Sequence, residues 1–552
     1  MHDRHHRALA LCLLALIPLQ RLALALAWPD LLHDLDAGEL KHMDLALFGL
    51  PGGESLIDRL RAWLSGPENI HHGGYPVVSL LFLAASRVLE PSLFLLRLLP
   101  IAATSLAALF MAQLVHRRVG PRAAWVALAL FVGAPPLFLK WTTTSRGGHL
   151  EGIVFPLLMA LLLDRALRGG VWRWLGAGLL GGFAVYFTYL AAPAVLLLSL
   201  GALIERAGCD RRAAARAAGA LLLGGVVGFS PWWLGLLVLD LPYFDASIHQ
   251  TSNPAEAAQV HARTLWDALA AMRQGLAHNL WPWAVNHSPE AAYASSTPDL
   301  LVYTPTATTW ALRGAVAAAV LAGLVASVRQ RSPFLVALCL LPAAHHLFVL
   351  RTANTVGYPD VPHRYFVLVF PAICAAAALG SDLPRVGRAV AAIAVIVCGV
   401  GLWSQSAWWG APQWGQFDGW DAAALRQAGL GQVRADEGAQ VADLLEATGP
   451  TANEQQRGVA MIYPAMADYY LLFRERPNER PYPSHLFREP DPLSQDDAQR
   501  RAVVQGALDA TRARAGRDPE QLQRWLCSWE PSVEYAVIVA EARAEAGVAC
   551  AD

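Results

Sequence analysis

Charged residues are scarce in this chain of 552 residues: they make up 16% of it, against roughly 25% in soluble domains. Neither sign of charge dominates, because 43 Lys and Arg stand against 44 Asp and Glu. A net charge of -1 provides no bulk attraction to nucleic acid, so no nucleic-acid partner is expected. Hydrophobic residues make up 55% of the chain and the mean hydropathy is +0.35, which favours a polytopic membrane protein.

Cysteine is also rare, with seven residues that show no metal-ligand spacing. Five of them lie in or beside apolar runs, where a cysteine behaves as a small hydrophobic residue. Cys527 and Cys550 lie in the polar tail and are able to form one disulfide if that tail is extracytoplasmic. The sequence shows no internal repeat and no low-complexity tract.

Long apolar runs predict about eleven membrane-spanning helices and therefore an all-α polytopic fold. The first run follows a basic start, and Ala25-Leu26-Ala27 resembles a signal-peptidase site. We interpret this run as an uncleaved first helix, because about 20 apolar residues are enough to span and many further runs follow. The run 174–204 is predicted to form two helices, because it is too long for one span and contains Thr188 and Pro193. The predicted spans are 8–28, 93–115, 122–139, 150–164, 174–187, 189–204, 217–240, 309–328, 333–350, 363–380 and 389–409.

Arginines in five short connections indicate the orientation, because basic short loops stay in the cytoplasm. The alternate connections are acidic: 30–92 carries nine Asp or Glu against four Lys or Arg, and 241–308 carries five against two. The N-terminus is therefore expected inside, and the loop 29–92 and everything after the last span outside. The arginines are Arg117, Arg118, Arg122, Arg165, Arg168, Arg173, Arg206, Arg211, Arg212, Arg216, Arg329, Arg331, Arg385 and Arg388.

Two domains are expected: a membrane domain over 1–409 and a small extracytoplasmic soluble domain over 410–552, which is long enough to fold. Within the outer loop 29–92, segment 54–64 has apolar residues at helical spacing, which predicts a helix in the membrane interface. Segment 76–89 is a second candidate of this kind. The tail is expected to contain two helices and one irregular loop, at 434–447, 497–515 and 476–495.

A dense acidic run, HDLDAGELKHMD, follows the first span at 33–44. Mutual repulsion of its four carboxylates favours protonation of some of them, a property that suits a general base. Asp36 is the first choice for that base and Asp34 the second. Glu39 shares a face with Asp36 if the stretch continues as a helix. The alternative is a hydrated loop at a helix end.

A divalent cation is a further alternative for the acidic run. His33 and His42 lie beside the carboxylates, and both ligand types bind divalent metals. The spacing is not diagnostic, so the metal requirement stays open.

Three further polar segments lie on the same predicted outer side: HHGGYPV at 71–77, KWTTTSRGGHLEG at 140–152 and RTANTVGYPDVPHRYF at 351–366. Arginines there suit a phosphate, which they bind through charge-assisted hydrogen bonds. The alternatives are a simple turn, a capped loop and interfacial anchors. The candidate substrate-binding residues are His71, His72, Tyr75, Arg146, His149, Glu151, Arg351, His363 and Arg364.

The pair of motifs Asp36-Ala37-Gly38-Glu39-Leu40 and His71-His72-Gly73-Gly74-Tyr75-Pro76 resembles the opening of GT-C glycosyltransferases, in particular bacterial relatives of protein O-mannosyltransferases. The resemblance extends over 8–200 and continues in general layout to 410. The chain departs from the family pattern at Ala37, where Ser is frequent, and at His72-Gly73, where Pro-Pro is common. These departures leave the carboxylates and the leading histidine in place.

The resemblance implies an inverting glycosyltransferase that moves a sugar from a polyprenyl-phosphate donor to an acceptor hydroxyl on a protein, lipid or glycan. The Ala-, Leu- and Arg-rich composition suggests a bacterial cytoplasmic membrane with a periplasmic active site. A transporter or flippase for a lipid-linked sugar is the main alternative, although few ionisable residues lie within the predicted spans. Arg21 and the pair His345-His346 are the clearest of these. A structural or assembly protein is the third alternative.

Overall fold

The computed structural model describes 2–27, 45, 55–64, 73–89, 93–145, 151–239, 306–352, 367–410 and 533–550, with single positions between 497 and 527. These residues form helices and turns without a strand, which confirms an all-α fold for the described part. Two compact units are formed, one by Met1–Pro29, Ile70–Val78 and Leu93–Gly419, the other by Asp30–Asn69, Ser79–Ser92 and Trp420–Asp552.

Most described residues belong to helices that follow one another through short turns. In chain order they are α1 (His2–Ala27), α2 (Leu56–Leu64), α3 (Gly74–Ser86), α4 (Leu93–Arg118), α5 (Pro121–Val132), α6 (Pro136–Trp141), α7 (Val154–Leu167), α8 (Val171–Phe187), α9 (Ala192–Cys209), α10 (Arg211–Gly228), α11 (Ser230–Val238), α12 (Thr306–Arg329), α13 (Pro333–Thr352), α14 (Phe370–Leu379), α15 (Val386–Gly410) and α16 (Val533–Glu545). Single 3-10 turns lie at Glu151–Ile153, Tyr189–Ala191, Val367–Val369 and Gly380–Asp382.

Helices lie at all eleven predicted span positions, but the predicted number of about eleven spans is not confirmed. Among the described residues, five helices are long and apolar enough to cross a membrane, or six if the bent pair α10 and α11 is one span. Shorter apolar helical stretches of 10–17 residues lie at Gly74–Ser86, Pro121–Val132, Pro333–Val349 and Val367–Asp382, whereas a bilayer core of ~30 Å needs about 20 helical residues. The five are Arg4–Leu26, Phe94–Arg118, Tyr189–Cys209, Ala311–Arg329 and Val386–Trp403.

Breaks divide two of the long apolar runs into shorter helices. Thr188 has an extended backbone (φ -151°, ψ 123°) and ends α8, so the run 174–204 does form two helices, as predicted. The predicted span 122–139 is interrupted between Val132 and Pro136, where two consecutive prolines follow Gly133 and Ala134.

Small residues bring α8 and α10 into close contact. Gly178 and Gly182 on α8 leave no room for a Cβ, because the carbonyl oxygens of Leu221 and Gly225 on α10 lie directly over them. Gly224 and Gly228 meet α8 in the same way. Such small-xxx-small pairs let helix backbones approach in a membrane, where packing drives association.

Arginines at the predicted cytoplasmic ends of the helices share one buried carboxylate. Asp164 of α7 is fully buried and pairs with Arg117 Nε at 2.9 Å, Arg118 Nε at 2.5 Å and Arg168 Nη2 at 3.4 Å. Burying an acid is costly unless it is paired, and these cations supply the pairing. The cluster joins α4 to α7 at the end that the sequence predicts to lie inside.

In the second unit, α2 occupies the predicted interfacial segment 54–64 and begins with a capping box. Ser55 Oγ donates to Asp58 Oδ2 at 2.6 Å, and the Asp58 amide donates back to Ser55 Oγ at 3.1 Å. The Ser55 hydrogen bonds lower the pKa of Asp58. Leu56 and Ile57 are at least half exposed, as expected for a helix that lies in an interface.

The end of the tail has a small hydrophobic core of its own. Cys527 and Cys550 are joined by a disulfide, as the sequence allowed, and Arg543 Nε donates to the carbonyl of Leu526 at 2.9 Å. Described positions within the predicted helix 497–515 are helical, whereas 434–447 and 476–495 lie outside the described residues. The core residues are Val504, Leu508, Leu526, Tyr535, Ile538, Val539 and Ala542.

Candidate functional site

The structure describes three of the predicted site residues: Tyr75 at the start of α3, Glu151 in a 3-10 turn, and the backbone of Arg351 at the end of α13. Tyr75 is half-buried and Glu151 is buried. The remaining predicted residues lie outside the described part of the chain: Asp34, Asp36, Glu39, His71, His72, Arg146, His149, His363 and Arg364.

The segments that border three predicted motifs converge in the first unit. Gly73, in the motif HHGGYPV, lies against Tyr186 at the end of α8, and a Cβ there would clash with the Tyr186 carbonyl and ring. Two residues farther on, Thr188 places its methyl group against Gly152, and Leu368 flanks the same glycine. Gly152 belongs to the loop 140–152, and Leu368 follows the motif that ends at residue 366. These motif borders, far apart in sequence, therefore come together at one end of the helices.

The described residues on either side of 146–150 are joined by a hydrogen bond. Ser145 Oγ donates to Glu151 Oε1 at 2.5 Å, and both residues are buried. A hydrogen bond to a carboxylate is shorter and stronger than a neutral one. A buried carboxylate and its hydrogen-bond donor therefore flank the segment that contains Arg146 and His149 in the sequence.

A buried arginine on α1 binds the segment that precedes 146–150. Arg21 is 1% exposed; its Nε donates to Thr142 Oγ1 at 2.9 Å and its Nη1 to the Ile17 carbonyl at 2.9 Å. Its guanidinium carbon lies 5.6 Å from the ring centre of Phe131 and 5.9 Å from that of Phe138, within the range of cation–π attraction. No carboxylate of the described residues pairs with it. The sequence indicates Arg21 as an ionisable residue in an apolar helix, whereas no sequence signal indicates Thr142.

Two buried glutamines lie at the break between α5 and α6, and one of them satisfies the backbone there. Gln405 Nε2 donates to the carbonyls of Val132 at 2.9 Å and Ala134 at 2.7 Å. Its Oε1 accepts from Gln20 Nε2 at 2.9 Å. Carbonyls that a broken helix exposes within a membrane need such partners. Together with Arg21, these residues form a polar layer that joins α1, α15 and the α5–α6 break.

Sequence reasoning missed other buried cations. Arg97 interrupts the apolar run LFLLRLLP near the start of α4, the end that is predicted to face outside, and it is 2% exposed. Arg313 of α12 is 4% exposed. A lone arginine in an apolar run was the signal that could have identified both. His345 and His346 of α13, which the sequence did indicate, are buried as well.

Within the described residues, no group of three or more His, Cys, Asp or Glu side chains is placed to hold a metal ion. The carboxylates of the acidic run and His33 and His42 lie outside these residues. The divalent-cation alternative therefore stays a prediction from the sequence.

A known structure is distantly similar to this chain. No model of a known protein family matches the sequence, and no curated protein matches it. The crystal structure of the Archaeoglobus fulgidus oligosaccharyltransferase in the apo form matches 85% of this chain and 60% of that chain, with a TM-score of 0.39 and 15% identity. The chain thus spans about 60% of the length of that protein.

Proposed function

We propose that this chain is an integral-membrane glycosyltransferase of the GT-C type, which moves a sugar from a polyprenyl-phosphate donor to an acceptor hydroxyl on the outer face of a bacterial cytoplasmic membrane. The observation that carries the proposal is the pair of motifs DAGEL at 36–40 and HHGGYP at 71–76 on one predicted side of the membrane. Gly73 lies against Tyr186, and two residues farther along the chain Thr188 lies against Gly152, which Leu368 also flanks; this proximity of three motifs supports a common site. The apolar helices are suited to a membrane, where a lipid-linked donor is located.

In the proposed reaction, Asp36 accepts the proton of the acceptor hydroxyl, whose oxygen forms the new bond to the anomeric carbon. The bond from that carbon to the phosphate oxygen breaks, and the electron pair leaves on the polyprenyl phosphate. Direct displacement inverts the anomeric centre. Asp34 is the alternative base, and Glu39 orients the acceptor hydroxyl or the sugar.

The other predicted residues bind the substrates in this scheme. Arginine donors stabilise the leaving phosphate, where negative charge increases in the transition state. Arg146, Arg351 and Arg364 take this role, and His71, His72, Tyr75, His149, Glu151 and His363 line the sugar and acceptor positions.

The purified protein in detergent, supplied with radiolabelled polyprenyl-phosphate sugars and simple acceptors, tests the proposal. We expect sugar transfer and release of free polyprenyl phosphate by the wild type. Asp36→Asn should lower the rate by ~10²–10⁴, the usual contribution of a general base. Asp44→Asn, a change in the same acidic run, is the matched control and should retain transfer. Equal turnover by wild type and Asp36→Asn would remove Asp36 from the role of base.

Transport of a lipid-linked sugar is the second candidate, and the ionisable side chains buried within apolar helices favour it. Arg21, Arg313 and His345 are each less than 5% exposed. Proteoliposomes separate the two functions. A flippase moves intact labelled donor across the bilayer, whereas the enzyme cleaves it only when an acceptor is present.

A further inference from the structure

An apolar groove of about 490 Å³ runs along the first unit between α9 and α13, with the end of α12 beside it. Its volume is in the ~300–1,000 Å³ range of small-molecule sites. Its walls include Leu200, Ile204, Val328 and Leu340, which are between 43% and 58% exposed. Because α9 and α12 belong to segments that are apolar and long enough to span, these side chains are suited to face the acyl region of the bilayer.

One end of the groove is basic. Arg331 lines it and has a φ of 52°, the left-handed region that an arginine enters rarely. This conformation ends α12: the Arg331 amide donates to the Val328 carbonyl at 3.0 Å and the Ser332 amide to the Ser327 carbonyl at 3.2 Å. Arg331 lies in one of the short connections whose arginines predict the cytoplasmic side.

The carboxylate near this end does not cancel that charge. Glu205 Oε2 accepts from Ser332 Oγ at 2.5 Å and from the Phe334 amide at 3.3 Å, at the first turn of α13. Its Oε1 pairs with Arg118 Nη1 at 3.5 Å. Glu205 is therefore held by the N-terminus of α13 and by Arg118, which also pairs with Asp164, and Arg331 is the charged residue among those that line the groove.

We propose that this groove binds one anionic phospholipid of the cytoplasmic leaflet, with an acyl chain along the apolar walls and the phosphate against Arg331. Arginine binds a phosphate with two parallel hydrogen bonds, and the cytoplasmic leaflet carries anionic headgroups. The site is at the predicted inner end of the helices, whereas the proposed catalytic motifs are at the outer end. It therefore stands independently of the proposed glycosyl transfer.

Native mass spectrometry of the purified full chain tests the site, with phosphatidylglycerol and phosphatidylcholine of identical acyl chains added in equal amounts. One basic residue near an anionic lipid contributes about 1 kcal/mol, which corresponds to about a fivefold preference for phosphatidylglycerol. Arg331→Gln should abolish this preference. Arg329→Gln is the matched control, because Arg329 is an exposed arginine two residues away that does not line the groove.

Two further variants separate binding from folding. Arg331→Gly should keep or raise the melting temperature, because glycine accepts a positive φ, and should still lose the preference. Leu200→Trp should fill the groove and reduce binding of both lipids. If Arg329→Gln and Arg331→Gln lose the preference for phosphatidylglycerol equally, the preference comes from the general surface charge and the proposed site is overturned. If millimolar inorganic phosphate displaces the lipid, the site binds free phosphate and not a phospholipid. If the protein forms a dimer that Leu200→Trp abolishes, the groove binds a second copy of the chain.

Discussion

Arg21 and Thr142 lie 121 positions apart in the sequence, and Nε of Arg21 donates to Oγ1 of Thr142 at 2.9 Å in the buried interior. The bond connects the first helix to the segment that leads into residues 146–150. Thr142 Oγ1 in turn donates to the carbonyl of Phe138 within its own turn. The turn that contains Thr142 is therefore linked to α1, the helix that precedes the acidic run.

Thr142→Val should destabilise the protein by ~1–3 kcal/mol, because it leaves the buried Nε–H of Arg21 without its acceptor. Thr143→Val is the matched control: Thr143 is also buried, but its hydroxyl donates only to the Leu139 carbonyl in its own turn. In an Arg21→Met background, Thr142→Val should cost less, as expected for coupled neighbours. Thermal unfolding in detergent measures all four variants, and equal costs in both backgrounds would contradict the coupling.

Glu151→Gln should preserve the fold, because a glutamine oxygen still accepts from Ser145 Oγ. If the charge of Glu151 acts at the site, sugar transfer should fall at least ~10-fold, equivalent to about 1.4 kcal/mol in the barrier. Ser145→Ala removes the hydrogen bond instead and should lower the melting temperature more than Glu151→Gln does. Normal transfer by a well-folded Glu151→Gln would make Glu151 a purely structural residue.

Cysteine labelling should report both the disulfide and the orientation. Cys209 is an exposed free thiol and the last residue of α9, on the predicted inner side. A membrane-impermeant maleimide should therefore label it only in inverted vesicles. Cys527 and Cys550 should be labelled from the outer face, and only after reduction. Labelling of Cys209 from outside intact cells would reverse the predicted topology.

Reduction should also destabilise the small core at the end of the tail. The disulfide closes a loop with a sequence separation of 23, for which chain-entropy estimates are ~3–4 kcal/mol. Limited proteolysis of the full chain, with and without reductant, measures the effect. The double variant Cys527→Ser and Cys550→Ser should be cleaved as readily without reductant as the reduced wild type.

Asp210 should make stability depend on acid pH. Its carboxylate caps α10 by accepting from the amides of Ala213 at 3.1 Å and Arg212 at 2.9 Å. These bonds, chiefly that from Ala213, together with Arg206 and Arg216, lower the pKa of Asp210 in the folded chain.

Because the pKa of Asp210 is lower in the folded chain than in the unfolded chain, its ionised carboxylate stabilises the fold at pH values above the unfolded pKa. This stabilisation is lost as the pH falls through the folded-state pKa. The melting temperature of the wild type should therefore fall more between pH 5 and pH 3 than that of Asp210→Asn, which keeps a cap without a charge. Asp210→Ala should have a lower melting temperature across the range. Identical pH profiles for wild type and Asp210→Asn would contradict the effect.

Hydropathy and local signals were enough to locate most of the helices. Apolar runs placed α1, α4 and α12, because length and apolar content are properties of one continuous segment. Thr188 ended α8 as predicted, and the pattern of 54–64 predicted α2. The predicted number of membrane spans is not confirmed, and the breaks after Val132 and at Phe229 divide runs that hydropathy reads as single helices.

The sequence by itself determined that this chain is apolar, helical and divided into acidic and basic connections, because those properties depend on composition and on neighbours along the chain. Only the tertiary structure decided which side chains meet. Arg117 and Asp164 are 47 positions apart, and Gln20 and Gln405 are 385 apart, yet each pair is in hydrogen-bond contact. A buried polar group is stable only beside its partner, and that partner is set by how the helices pack rather than by distance along the chain.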